Sequence, residues 1–208
     1  MITKHTLSRL AIITVAMLAI PASAAADLIV TLQPTTQTLN VGSSGFLDVF
    51  VTGSSATGDP VTGYTISLLG ESGISYTNVT TATTAADGYI FPNSAGLVVD
   101  STSPDVSYND FSLTTPTNVV AGETYGVGRI SFDAVAAGTY TIDFNTGQNG
   151  FIRADFSEIP TTYTGSTINI LPAAVPEPTT TLLLILTGIG GLFFARFRSR
   201  RLPEPTVG

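Results

Sequence analysis

The chain has 208 residues, no cysteine and one histidine, and its 15 acidic side chains against 8 basic ones leave a net charge of −7. Without cysteine there are no disulfides, thiolate metal sites or Cys nucleophiles. The negative balance argues against nucleic acid and anionic lipid headgroups as partners.

At the N-terminus, Lys4, His5 and Arg9 precede an uncharged apolar stretch from Leu10 to Ile20, and the small residues of "PASAAAD" follow. Ala22-Ser23-Ala24 and Ala24-Ala25-Ala26 both match an A-x-A cleavage pattern. A basic start, a short apolar run and a small-residue exit read as a secretory signal peptide over residues 1–26, handled by the Sec machinery and signal peptidase. The single histidine, His5, lies inside it. The exported protein would therefore have no imidazole, and a Ser-His-Asp triad would have no base. Residues 27–172 are enough for one domain with a sizeable core. They carry 13 Asp plus Glu against only Arg129 and Arg153, with no Lys.

That middle region reads as strands and turns, rich in Thr, Val, Ser, Gly and Ile without a run of helix formers. Leu28–Leu32 is the first predicted strand. In "FLDVFV", Leu47, Val49 and Val51 share one side, while Phe46 and Phe50 share the other with Asp48. In "YTISLL", Tyr64, Ile66 and Leu68 face the core and Thr65 and Ser67 face away. Predicted strands follow at Ile74–Val79, Tyr89–Phe91, Leu97–Val99, Tyr108–Leu113 and Thr124–Phe132. In "TYTIDF", Tyr140, Ile142 and Phe144 point inward, with Thr139, Thr141 and Asp143 outward. Phe151–Phe156 comes next, and "STINIL" offers Ile168 and Ile170 to the core at the last strand. Turn clusters such as "GSSATGDP" and "NTGQNG" separate them. The expected fold class is all-β: a two-sheet antiparallel β-sandwich or jelly roll of eight to eleven short strands.

Two stretches carry a family resemblance. "PTTQTLNVGSSGFLDVFVTG", residues 34–53, resembles the opening of cohesin-like domains, and "YGVGRISFDAVAAGTYTIDF", residues 125–144, resembles their later strand, Ala-Gly turn and strand. Where cohesins commonly have Phe-Asp-Pro after the third strand, this chain has "GESGISYTNV". The resemblance implies a fold.

Candidate chemistry in the domain is sparse. Sugar binding by a sandwich usually rests on flat aromatic platforms; there is no Trp, and Tyr76, Tyr89, Tyr108 and Tyr163 are the candidate rings. Each also reads as a half-buried strand tyrosine. "DVSYND" offers Asp105, Asn109 and Asp110 as hard oxygen ligands, and Ca2+ is the ion that such a set would suit. Loop Asp and Asn also commonly cap their own backbone. No other cofactor is implied. A glycosidase would need two suitably spaced carboxylates, and the acidic residues mostly fall in turn-like or outward positions.

The end of the chain has a different character. Pro176-Glu177-Pro178 closes a linker at 173–178; seventeen uncharged residues, Thr179 to Ala195, follow; Arg196, Arg198, Arg200 and Arg201 then open a basic tail over 196–208. A helix of that length reaches roughly 25 Å, a little short of a hydrocarbon core of about 30 Å. As a transmembrane helix it would hold the arginines in the cytoplasm and residues 27–172 outside. This three-part order resembles the PEP-CTERM sorting signal of Gram-negative bacteria. The resemblance implies that exosortase recognises Pro176, Glu177 and Pro178 and cleaves nearby. It also implies anchoring in the inner membrane before processing, then delivery to the cell surface or an exopolysaccharide-containing biofilm matrix. The expected function is thus a non-catalytic exported surface or matrix protein with a structural or adhesive role. A surface carbohydrate-binding module is the alternative, and a glycosidase-like enzyme the third reading.

Overall fold

β-Branched and aromatic residues at alternate positions, broken by Gly, Pro and Asn, produce strands and turns, and no helix occurs among the described residues. The computed structural model describes residues 27–173; the expected signal peptide, Pro-Glu-Pro motif, apolar run and arginine cluster lie outside the described residues. The strands in chain order are β1 Leu28–Gln33, β2 Thr36–Asn40, β3 Ser44–Gly53, β4 Asp59–Val61, β5 Gly63–Leu68, β6 Ile74–Thr80 and β7 Val98–Ser101. They continue as β8 Val106–Phe111, β9 Thr117–Val119, β10 Thr124–Ala134, β11 Gly138–Ile142, β12 Gly150–Ile152, β13 Thr161–Thr164 and β14 Ser166–Leu171.

One layer has the order β13-β1-β3-β10-β6. The other combines β11-β14-β2 with β12-β5-β8-β7. A bridge between Leu68 and Phe144, and the Leu69 N–H donated to the Asp143 carbonyl at 3.0 Å, join its two parts. A short β4–β9 ladder lies apart from both. Two pairs are parallel, β1 with β13 and β2 with β14. The expectation of a purely antiparallel sandwich is amended there: both chain segments leave one sheet and join the other side by side. The crossing is fixed where Ser166 Oγ donates to the Pro34 carbonyl at 2.7 Å and the Thr167 N–H to the Thr35 carbonyl at 3.0 Å. Gly165 is needed at this corner, since a Cβ there would meet the Ile142 carbonyl oxygen at 2.3 Å.

Between the layers runs one apolar core. Leu47, Val49 and Val51 of β3 meet Tyr64, Ile66 and Leu68 of β5, with Ile142, Ile168 and Ile170 also inside. For β5, β11 and β14 these are the inward sides that the alternation predicted; for β3 the structure chooses the Leu47, Val49 and Val51 side. Burial of each such side chain contributes about 1.5–3 kcal/mol relative to exposure. Tyr64 anchors the aromatic centre, stacked on Phe91 at 5.7 Å and edge-on to Tyr108 at 6.1 Å. Tyr108 comes in so close that Gly128 leaves no room for a Cβ, the nearest ring atom lying 2.8 Å away.

The structure departs from the expected strands in two places. Tyr89–Phe91 is not a strand; Tyr89 makes an isolated bridge to Gly126. Phe151–Phe156 is a strand only as far as Ile152, because the next residues form a turn.

Candidate interaction face

On the second layer, the inward course of Tyr64, Ile66, Tyr108, Asp110 and Phe151 turns the intervening residues outward. Register then sets Phe111 and Ile152 on either side of Gly63, and Asn109 and Gly150 on either side of Thr65. Gly63 and Gly150 carry no side chains, so a groove of about 390 Å3 opens across this face. Gln148, Asn149 and Glu158 complete its walls.

The wall contributed by residues 147–149 is pinned to the sheet. Asn149 Oδ1 accepts the Ser67 N–H at 2.6 Å, Asn149 Nδ2 donates to the Ser67 carbonyl at 3.1 Å, and Ser67 Oγ donates to Gln148 Oε1 at 3.3 Å. Ser67, expected to face solvent, is buried beneath them. The opposite end of the groove is closed by a turn. Ile152 and Glu158 bridge at its base, the Arg153 N–H donates to the Ser157 carbonyl at 3.0 Å, and the Phe156 N–H to the Arg153 carbonyl at 3.0 Å. Hydrogen bonds from the Ser157 hydroxyl and N–H hold the Asp155 carboxyl below the usual carboxylate range. At the tip Phe156 has φ 62°, left-handed backbone that a bulky side chain rarely adopts, and its ring is 82% exposed.

Several polar groups around the groove make no hydrogen bond within the domain: the Thr65 hydroxyl, the amide nitrogen of Gln148 and the carboxylate of Glu158. Asn109 donates from Nδ2 to Asp100 at 2.8 Å, which leaves its carbonyl oxygen available. Phe111 is 51% exposed at the groove edge; Val98, opposite Asn109 on β7, and Leu113, two residues past the end of β8, are also exposed. Sequence reading missed Phe111, because it ranked tyrosines as platforms and took Tyr108–Leu113 as one alternating strand. Phe111 and Gly63 being direct partners is a matter of register, which the sequence pattern does not specify.

The tyrosine platforms need correction. Tyr108 is wholly buried at 0% exposure, and Tyr76 is buried with its hydroxyl donated to the Leu69 carbonyl at 3.0 Å. Neither ring offers a face to a ligand, because inward strand positions gain more from packing than from solvent. Tyr89 is half-buried and donates to Asp110. Tyr163 is half-buried with its ring 5.0 Å from Phe144, and burial pushes its phenol up to about 12. It lines a hollow beside the groove that shares Asn149, Gly150 and Glu158 with it.

The proposed calcium ligands are not brought together either. Asp105 stands just before β8 and accepts the Gly70 N–H at 2.7 Å. Asn109 faces outward to Asp100, and Asp110 faces inward. Asp110 accepts from Ser94 Oγ at 2.5 Å, from Tyr89 and from the Phe111 N–H at 2.7 Å. Alternation separates the last two by the thickness of the sheet, and five residues of strand, about 17 Å, separate the first from the third. Among the described residues no group of three His, Cys, Asp or Glu is placed to share an ion.

Both cations of the domain are engaged. Arg129 is 2.7 Å from Asp48, and Arg153 is 2.6 Å from Asp59 and 3.5 Å from Asp27. The face is therefore polar and apolar by turns, with Glu158 its one charged wall residue exposed to solvent.

No family model matches the chain, and no curated protein matches it. Solved structures do. The seventh ScaB type I cohesin of Pseudobacteroides cellulosolvens superposes with a TM-score of 0.54 at 14% identity, covering 72% of this chain and 96% of that one. A non-cellulosomal cohesin from the archaeon Archaeoglobus fulgidus gives 0.53 at 10% identity, covering 70% and 92%. The cohesin–dockerin complex Coh-OlpC-Doc435 from Clostridium thermocellum gives 0.52 at 12%, covering 72% and 97%. At these identities the likeness is one of fold, and it covers almost the whole of each cohesin: the chain has a cohesin-like β-sandwich.

Proposed function

We propose that this protein is a non-catalytic adhesive module, exported and displayed at the cell surface or in an extracellular matrix, which holds a partner on the outer face of β12-β5-β8-β7. The observation that supports this most directly is that face itself. Phe111 is half-exposed beside side chains with unused donors and acceptors, while the Asp48, Asp59 and Asp110 carboxylates are satisfied internally. Display rests on the sequence: a signal peptide at 1–26, then Pro176-Glu177-Pro178, an apolar run and four arginines, as a substrate of exosortase would carry. Export and sorting are tested by intact mass of the protein from the cells that make it, beside a variant with Pro176, Glu177 and Pro178 all changed to Ala. The expected wild-type mass begins after residue 26 and ends near residue 178, with the variant uncut. A wild-type protein that keeps its arginine tail overturns the sorting step and leaves a membrane-tethered domain.

A protein partner is the second reading. One solved neighbour is a cohesin in complex with a dockerin, and Val98 and Leu113 are exposed apolar side chains outside the groove. Capture on immobilised wild-type protein, lost when Val98 and Leu113 are both changed to Ser, would support it; capture unchanged by that substitution would count against it.

A further inference from the structure

Resting on the adhesive reading, we infer that the groove bounded by Thr65, Asn109, Phe111, Gln148 and Glu158 is a binding site for an uncharged glycan chain. A sugar ring presents two kinds of surface: hydroxyls, each both donor and acceptor, and a C–H face that is apolar. The groove presents the complement of both. Asn109 Oδ1 and the Glu158 carboxylate accept, the Gln148 amide nitrogen donates, and the Thr65 hydroxyl does either. Phe111 supplies an aromatic face for the C–H surface.

The walls are preorganised. Asn149 is committed on both ends to the Ser67 backbone, so Gln148 is carried on a fixed support. The turn that closes the other end holds Phe156 in a strained backbone with its ring unpacked, and its two flanks, Ile152 and Glu158, are themselves groove residues. Strain of this kind persists where the surrounding structure enforces it and commonly marks a contact surface. A volume of about 390 Å3 lies within the range of small-molecule sites.

Charge narrows the ligand. An anionic polymer would meet Glu158 with no free cation to offset it, since Arg129 and Arg153 are both tied to carboxylates. An extended peptide would gain little from the backbone here, because β5 already has β12 on one side and β8 on the other. Recognition falls to side chains, and amide, hydroxyl and aromatic groups together are sugar chemistry.

The test uses the full chain in a zwitterionic, sugar-free detergent, titrated with cellohexaose, mannohexaose and chitohexaose. Wild type should bind at least one of them. Phe111→Ala should weaken that binding by about tenfold, as loss of an apolar contact of this size implies, and Gln148→Ala by about threefold to fivefold, as loss of one neutral hydrogen bond implies. Gln148 is exposed and its one side-chain bond to the fold, from the Ser67 hydroxyl, is long at 3.3 Å, while Asn149 keeps the wall on the sheet; Gln148→Ala should therefore fold, and it decides the matter if Phe111→Ala is poorly folded. Failure of all three probes to bind overturns the assignment, as does binding that neither substitution weakens. Either failure leaves the sorting reading to its own mass measurement and hands the face to a protein partner.

Discussion

The outer faces of the two layers are built from similar materials and finished in opposite ways. On the β13-β1-β3-β10-β6 side, Asp48 and Arg129 stand directly opposite each other in the ladder. Arg129 donates to Asp48 from Nε at 2.7 Å and from Nη2 at 2.9 Å, and its guanidinium lies 4.1 Å from the centre of the Phe46 ring. Thr84 crosses over the top and donates both its N–H, at 3.1 Å, and its hydroxyl, at 2.7 Å, to the same carboxylate. Both charged groups of that pair are satisfied, and Asp48 is 1% exposed on what the alternation marks as the outside. On the β12-β5-β8-β7 side, the comparable positions hold Asn109, Thr65 and Phe111, with groups left unpaired and a ring left half in water. At Asp48 and Arg129 the first face is closed as structure, although Ile29 and Phe46 of the same layer remain partly exposed. The second is available for contact.

The sharpest way to break that contrast is to open the closed face. Arg129→Ala would leave a buried carboxylate with Thr84 as its only donor residue, and such losses cost about 3–5 kcal/mol. Thermal unfolding should show a large fall in Tm. The same site sets an acid limit. Burial pushes the Asp48 carboxyl up, but hydrogen bonds from Arg129 and Thr84 together with the Arg129 charge outweigh it and hold the group below its ordinary 3.8. Because the folded form releases the proton more readily than the unfolded chain, this stabilisation is complete above the ordinary value and disappears as pH falls through the depressed one. Unfolding midpoints measured from pH 7 down to 2 should stay level through the neutral range and drop in acid, less steeply in Asp48→Asn. A profile identical in the two proteins would remove Asp48 from the account.

A smaller effect is expected beneath the open face. Tyr108 is fully buried and its hydroxyl has no hydrogen-bond partner, whereas the neighbouring Tyr64 donates to the Val127 carbonyl at 2.6 Å. Removing an unsatisfied buried hydroxyl while keeping the ring should be neutral or stabilising by about 1 kcal/mol. Tyr108→Phe should therefore raise the denaturant midpoint, and Tyr64→Phe should lower it. The reverse order would mean that the Tyr108 hydroxyl has a partner that matters.

These residues also mark how far the sequence could be read. Period-two alternation places Ile66, Ile142 and Ile168 inside, because their neighbours are polar and only one register buries them. It fails at Asp48 and Ser67, outward by alternation and buried in fact. In each case a segment distant in sequence folds over the strand: Thr84 across the first, Asn149 across the second. The short strands β4, β9 and β13 escaped for a related reason. Their three or four residues show too few alternations to stand out, and pairing with distant partners makes them strands. The tyrosines misled because an aromatic on a strand looks the same whether it faces the core or the solvent. Phe111 became visible as a contact residue only once register set it beside Gly63.

The finest test of the contrast compares two phenylalanines of one sheet, on the strands that flank β5. Phe151 of β12 points inward at 0% exposure, and Phe111 of β8 points outward at 51%. Truncating Phe151 to Ala removes packed atoms from the core and should cost about 3–5 kcal/mol. Truncating Phe111 removes a ring that already meets water over half its surface and should change stability by no more than about 0.5 kcal/mol, the range of ordinary surface substitutions. If Phe111→Ala instead proved as damaging as Phe151→Ala, the outward ring would belong to the fold, and the open face would lose its main claim to be a site of contact. A stable Phe111→Ala protein would mean that folding does not require this half-exposed aromatic, leaving contact with a partner as its role.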